Sequence, residues 1–313
     1  MNNYKHWLVE IDMLQPSEAV LHNISILSQR LKPETIHFLH VAEKVDLPDE
    51  AFAQMPDLQV PEVKSIAKQL NDHIQDKIDT SIKASVEVII GSPLKEILKK
   101  AQGLSVDLLL VGNRKDFDTL HKKVIRKAPC SVLLVPDKKL ETLESILVPI
   151  DFSEYSPLCM EAVRAVSDDF DVKQVNVIHF YQDASFYLNQ VFESPFEVNE
   201  LMRRKVVLNE KLSTYASHKV DEFISEYKSL NSVTGIAEKL EKGENVDDHL
   251  KAALVSHNPD MLIMGAKGTS SSSAALLGTV AENIESKGLD KYLLIIKKKG
   301  ENSSLIRTLL GLK

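Results

Sequence analysis

Apolar residues in this chain gather in short continuous runs, and longer stretches of helical spacing separate them. The runs are rich in Val, Ile and Leu and too short for buried helices. That is the pattern of parallel strands covered on both faces. They predict strands at 6–11, 35–41, 84–90, 107–111 and 131–135, and again at 145–150, 174–180, 232–240, 260–264 and 291–297. The stretches between them predict helices near 17–31, 60–80, 93–102 and 119–127, then near 154–168, 197–228, 246–256 and 279–287. Ser17 and Ser153 stand where helix N-caps belong, with acidic residues just behind them. Pro93 follows Ser92 as a first-turn proline. Strand and helix in alternation impose right-handed crossovers and a doubly wound α/β sheet.

The same plan is written twice. His6 to Asp12 and Ser145 to Asp151 are both short apolar runs ending in aspartate, 139 residues apart. His40 and His179, each near the end of a second apolar run, are also 139 apart. Asp107-Leu-Leu-Leu-Val-Gly112 matches Asp260-Met-Leu-Ile-Met-Gly265, now 153 apart. A constant offset followed by one jump is what a duplication with one insertion leaves. The expected domains are 1–138 and 145–300, joined by the polar segment 137–144, with a tail at 301–313. The tail reads as a short docking helix or as a frayed end. The segment 181–199, with Phe186, Tyr187, Phe192 and Phe196 but no clean period, reads as a lid, a partner surface or, preferably, a packed irregular loop.

Composition changes this picture little. A length of 313 residues suits two domains, and a net charge of −7 argues against nucleic acid or an anionic membrane as the main partner. It leaves ATP open, because phosphate sites are built from local amides. Cys130 and Cys159 lie in apolar surroundings, have no C-x-x-C partner and read as small buried hydrophobes. The N-terminus runs straight into a strand with no signal-peptide pattern, and no apolar run approaches the ~20 residues of a membrane span. The expectation is a cytoplasmic protein.

In an open parallel sheet, ligands bind beyond the carboxyl ends of the strands, where strand order reverses. In the second half this points to Asp151, Phe180 and the loop after Met264. That loop reads Gly265-Ala266-Lys267-Gly268, nine residues, then Gly278-Thr279. Gly265 and Gly268 permit close backbone approach, and the amides of Thr279 and Val280 would open a helix, a ready anion site. Thr279 and Ser270 to Ser273 add hydroxyl donors, and Lys267 is either a phosphate partner or a solvated cation. A flexible Gly/Ser linker is the competing reading. The loop lacks the Gly-Lys-Ser/Thr ending of a P-loop and the spacing of a dinucleotide fingerprint. Asp151 likewise has two readings, acceptor for a ribose or base edge and cap of the following helix.

Gly-x2-Gly-x9-Gly-Thr after a fourth strand resembles the ATP-binding pattern of the universal stress protein family. The opening Ile146-Leu-Val-Pro-Ile-Asp-Phe-Ser153 resembles that family's first strand and turn. Val124-Ile-Arg-Lys-Ala-Pro-Cys-Ser-Val-Leu-Leu-Val135 resembles its closing helix and strand. The likeness covers nearly the whole chain, in tandem. It implies two doubly wound five-stranded parallel sheets of the adenine nucleotide alpha-hydrolase-like kind, in a pseudo-twofold tandem whose last strands, 131–135 and 291–297, pair. The outcome would be a monomer with an internal pseudo-dimer, or a homodimer. The likeness also implies that Asp151 and the Phe180 backbone meet the base or ribose and that Pro149 lines that pocket. Met264, Gly265, Gly268, Gly278, Thr279 and Val280 would hold the ribose and phosphates of ATP, ADP or AMP, with or without Mg. The first half departs from the pattern. Lys115 stands for the second glycine, Asp118-Thr119 for the final Gly-Ser/Thr, and the loop is short and acidic. It is expected to bind no nucleotide, or to bind it poorly. In the second half, Gly288-Leu-Asp-Lys291 replaces the usual Ala-Pro-Cys-Pro.

Three functions follow. One is a stress-response regulator that binds an adenine nucleotide, with an unnamed protein partner and at most slow hydrolysis. A second is an ATPase or nucleotidyl transferase, and a third a scaffold with both sites dead. Hydrolysis needs a base or water-positioning group and a metal. His249, His257, Asp247 and Asp248 offer no spacing that makes a constellation, and they read as solvated helix faces.

Overall fold

A computed structural model describes residues 4–11, 17–42, 63–113, 119–188, 195–230, 232–267 and 290–302. The chain divides into two compact units, one of Met1–Glu141 with Glu285–Lys313, the other of Thr142–Ile284.

In the first unit the order is β1 (His6–Glu10), α1 (Glu18–Leu31), β2 (Thr35–Ala42), α2 (Val63–Gln75), β3 (Lys83–Ile90), α3 (Pro93–Gly103), β4 (Leu108–Asn113), α4 (Thr119–Lys127) and β5 (Ser131–Pro136). The strands lie in the order β3-β2-β1-β4-β5, all parallel. In the second unit the order is β6 (Ser145–Ile150), α5 (Tyr155–Asp169), β7 (Gln174–Gln182), α6 (Pro195–Ser225), β8 (Val233–Leu240), α7 (Val246–His257) and β9 (Met261–Gly265). Its strands lie in the order β9-β6-β7-β8, again parallel. The strand expected at 291–297 is present as β10 (Tyr292–Ile296). It adds antiparallel to β5 through Leu293↔Leu134 and Ile295↔Val132, the pairing expected of the closing strands.

Burial follows the sequence pattern. Every residue of β5 and of β10 is buried, as continuous apolar strands require. Helix α1 shows how the local signals work. Ser17 accepts the Val20 amide at 3.2 Å, Lys32 takes a left-handed turn at φ 46°, and its N–H returns to the Ser28 carbonyl. Val20, Leu21, Ile24, Leu27 and Leu31 form the buried stripe, each worth roughly 1.5–3 kcal/mol against exposure. The linker is pinned as well. Buried Asn23 donates to the Pro136 and Lys138 carbonyls and accepts the Leu140 amide.

The repeat extends to hydrogen bonds. Asp107 accepts the Lys5 and His6 amides at the foot of β1, and Asp260 accepts the Glu144 and Ser145 amides at the foot of β6. His40 Nδ1 lies 3.0 Å from the Ile11 carbonyl, and His179 Nδ1 lies 3.0 Å from that of Ile150. In the segment after β7, residues 183–188 are tied down. Asp183, 1% exposed, accepts the Ser185 amide and pairs with Lys205 at 3.3 Å, while the Ala184 amide donates to Asn209. Residues 183–188 are thus tied to α6, whereas 181–182 belong to β7, Tyr187 is exposed, and 195–199, expected as loop, open α6. Among the described residues, no helix is long and apolar enough to cross a membrane.

Candidate functional site

The second unit reverses its strand order at β6. The chain steps from β6 to β7 to β8 on one side, then returns to β9 on the other. The carboxyl ends of β6 and β9 therefore mark the switch point, where an open α/β sheet offers its crevice. Asp151 follows β6 directly, and Gly265 ends β9.

Asp151 does serve the helix start. Its Oδ1 accepts the Ser153 amide at 3.0 Å and the Ser156 hydroxyl at 3.4 Å, closing the turn into α5. Phe152 inside that turn adopts φ 58°. The left-handed region costs a residue with a Cβ about 1–2 kcal/mol, so neighbouring contacts must hold it. They do. The Phe152 ring lies 4.5 Å from the His179 ring and 6.0 Å from Phe223, and the Lys219 ammonium stands 5.2 Å over it. Burial pushes the His179 pKa below its usual value, which keeps the ring neutral at pH 7.

Gly265 answers to packing. A Cβ there would stand 2.6 Å from the Tyr155 Cβ and 3.2 Å from the Lys267 carbonyl oxygen. The matching Gly112 in the first unit is less confined, its Cβ falling 3.4 Å from Val20. Met264, beside Gly265, is 6% exposed.

Phe180 stands where β7 outruns β6. The Gln174 amide donates to Glu144 on the β6 side and the Val175 amide to Ser232 on the β8 side. Main-chain groups of a parallel strand alternate between its two neighbours, so the Phe180 amide and carbonyl face the β6 side. The register with β6 ends at Ile150↔His179, a pairing in which the Phe180 amide donates to the Ile150 carbonyl, so the Phe180 carbonyl alone lies past the end of β6. Pro149 lies in register with Ile178 on the same two strands. Asp151, Phe180, Pro149, Met264 and Gly265 thus share the carboxyl edge of β6, β7 and β9. Gly268, Gly278, Thr279 and Val280, together with the expected helix 279–287, lie outside the described residues, as do 114–118 of the first half.

One group escaped the sequence reading. His249 is no solvated helix residue. Its Nδ1 lies 2.5 Å from Glu238 Oε1 on β8, and its Nε2 lies 2.9 Å from Glu244 Oε2 in the β8–α7 loop. Two carboxylates on opposite nitrogens need both N–H groups, and the bond to Glu238 is the main cause that raises the His249 pKa. The Phe180 ring meets His249 edge to face at 6.2 Å. Only the order of acidic residues and a histidine along 238–249 hinted at this group, and spacing could not reveal the fold of the loop. Among the described residues, no three His, Cys, Asp or Glu side chains gather so as to hold a metal.

Comparison with known proteins agrees with this fold. The model of the universal stress protein family matches twice, at residues 3–136 and 142–287. A putative universal stress protein from Pseudomonas aeruginosa is 14% identical, covering 99% of both chains at a TM-score of 0.63. A universal stress protein from Archaeoglobus fulgidus is 16% identical, covering 95% of this chain and 97% of its own at 0.59. A universal stress protein solved in complex with cAMP is 17% identical over 44% of this chain and 99% of its own; its TM-score of 0.32 is too low to transfer its ligand. No curated protein matches at a significant level. Two successive matches that span nearly the whole length place the chain in the universal stress protein family, as a tandem of two such domains.

Proposed function

We propose that the second half binds an adenine nucleotide, ATP in the first instance, and that the protein acts as a cytoplasmic stress-response regulator rather than as an enzyme. The observation that carries this reading is the end of β7, whose Phe180 carbonyl faces the side where β6 has stopped. That carbonyl offers an acceptor to a base edge, while the Phe180 amide serves the Ile150 carbonyl. Asp151 at the adjoining strand end would meet the ribose or base. The glycine pattern Gly265, Gly268, Gly278 leaves β9 at the same edge, and Thr279 and Val280 would supply amides to the phosphates. Pro149 and Met264 would line the pocket. Mg, where present, would ride on the phosphates.

Features of the described residues support this reading. Burial favours the neutral His179 ring, which would add no charge beside a base, and hydrogen bonds close the Asp151 turn. The two tight constraints at Phe152 and Gly265 preorganise the strand ends, which lowers the cost of ordering them on binding. The first half, with its shortened acidic loop, would bind nothing.

Calorimetric titration with ATP tests this, with phosphate release followed in parallel. The expected outcome is saturation near one nucleotide per chain, little phosphate release, and loss of binding in Gly278→Asp. Two equivalent sites would refute the silent first half. Rapid turnover would make the protein an ATPase, and no heat of binding would leave the scaffold reading.

A further inference from the structure

The Glu238–His249–Glu244 group belongs to the second half alone. Phe180 lies in register with Glu238, and its repeat partner Val41 lies in register with Ile89. His249 is the fourth residue of α7, and the fourth residue of α3 is Glu96. The first half has Ile89 and Glu96 at these places, and its β3–α3 turn has no residue to match Glu244: Gly91 and Ser92 lead directly into the helix. The half with the shortened loop lacks the clamp, and the half with the full glycine pattern has it.

The geometry is a staple. Glu244 Oε2 accepts the Glu241 amide at 2.7 Å, and the Glu244 amide returns to the Glu241 carbonyl at 3.0 Å, so the turn 241–244 closes on itself. His249 then joins that turn to β8 through Glu238, beside the Phe180 ring. The His249 side chain is 21% exposed. Its charged surroundings are Glu238 and Lys239 on β8, Glu241, Lys242 and Glu244 in the loop, and Asp247, Asp248 and Lys251 on α7. Lys239 pairs with Glu241 and Lys251 with Asp248, and Glu238 and Glu244 are the carboxylates bonded to the ring.

We propose that His249 is a positioning residue for the base end of the nucleotide site: gripping Glu238 and Glu244 at once, it fixes the 241–245 loop and the Phe180 end of β7 in the arrangement that accepts the ligand. The proposal rests on the nucleotide reading above. The clamp is complete only with the ring protonated. A His whose folded pKa is raised contributes stability that is fully present below the unfolded value, ~6.5, and is lost as pH rises through the folded value. Loop order and affinity should therefore both fall on the alkaline side.

The experiment uses the full chain, wild type and His249→Gln. ATP affinity is measured by calorimetry from about pH 6 to about pH 9, and amide protection of 241–245 is followed by hydrogen exchange, corrected for intrinsic rates. The ratio of wild-type to variant affinity removes the titration of the nucleotide itself. The expected ratio is about tenfold near neutral pH, shrinking toward one as pH rises, with loop protection falling in parallel in the wild type only. Should His249→Gln fold poorly, Glu244→Gln opens one side of the clamp and is expected to give a smaller ratio of the same pH dependence. An unchanged affinity in a variant whose loop has lost protection would reduce His249 to a structural staple and overturn the proposal. So would unchanged protection. Absence of ATP binding in the wild type at every pH would sink the nucleotide reading, and protection alone would then decide whether the clamp exists.

Discussion

A Cβ at position 265 would stand 2.6 Å from the Tyr155 Cβ, closer than any real pair of such atoms. This single glycine therefore carries a demand that its sequence pattern did not reveal. The pattern marked it as a place where a ligand approaches the backbone; the structure adds that α5 approaches it too. Gly265→Ala is expected to lower stability by about 1–3 kcal/mol, the range for an overpacked site, in urea denaturation without any nucleotide. An unchanged midpoint would mean that α5 moves away at little cost. Asp151 teaches the same lesson. Both of its readings were open from the sequence, and its hydrogen bonds to Ser153 and Ser156 close the turn ahead of α5. His249 was illegible for a different reason. Glu238 sits on a strand eleven residues earlier, and only the folded loop brings it and Glu244 to opposite sides of one ring.

At the scale of elements, the strands were legible almost to the residue, most plainly β5 and β10, whose burial on both faces leaves no polar position to blur their ends. Helices were less so. The apolar spacing Ile74, Ile78, Ile82 continues the period of α2, yet the helix ends at Gln75. The chain turns there, and Asp79 accepts the Ser81 amide at 2.8 Å, a local bond that competes with the helical ladder. Ile78 and Ile82 are buried all the same, so the pattern reported burial correctly and conformation wrongly. The end of α4 shows an element completed by a distant residue. Lys297, 6% exposed, sends its ammonium to the carbonyls of Ile125, Arg126 and Ala128 at 2.6–3.1 Å. Those carbonyls have no partner within the helix, and a cation at a helix C-terminus also meets the favourable end of its dipole. Lys297→Ala should cost about 1–3 kcal/mol, chiefly through the Ile125 carbonyl, since Asn302 also donates to those of Arg126 and Ala128; thermal unfolding measures it, and a loss below a few tenths would show that water replaces the ammonium freely.

At the scale of the molecule, the two halves share a framework and differ where the proposed nucleotide site lies. Both halves keep the aspartate at the foot of the first strand and the histidine bonded to its end. They differ at the carboxyl edge, in the glycine loop and in the acidic clamp. The strand that follows the second repeat lies with the first unit: β10 pairs with β5, and Lys297 and Asn302 close the end of α4. Removing residues 285–313 should therefore damage the first half of the chain. Trp7, the only tryptophan and fully buried in the first unit, would report it. A red-shifted emission and a lower melting midpoint are expected, and an unaltered Trp7 signal would contradict the role given to β10. The same connection sets an order of events during synthesis. The first half is made early, yet its sheet waits with β5 uncovered while some 150 further residues are translated, and its hydrophobic edge stays exposed to other chains for all that time.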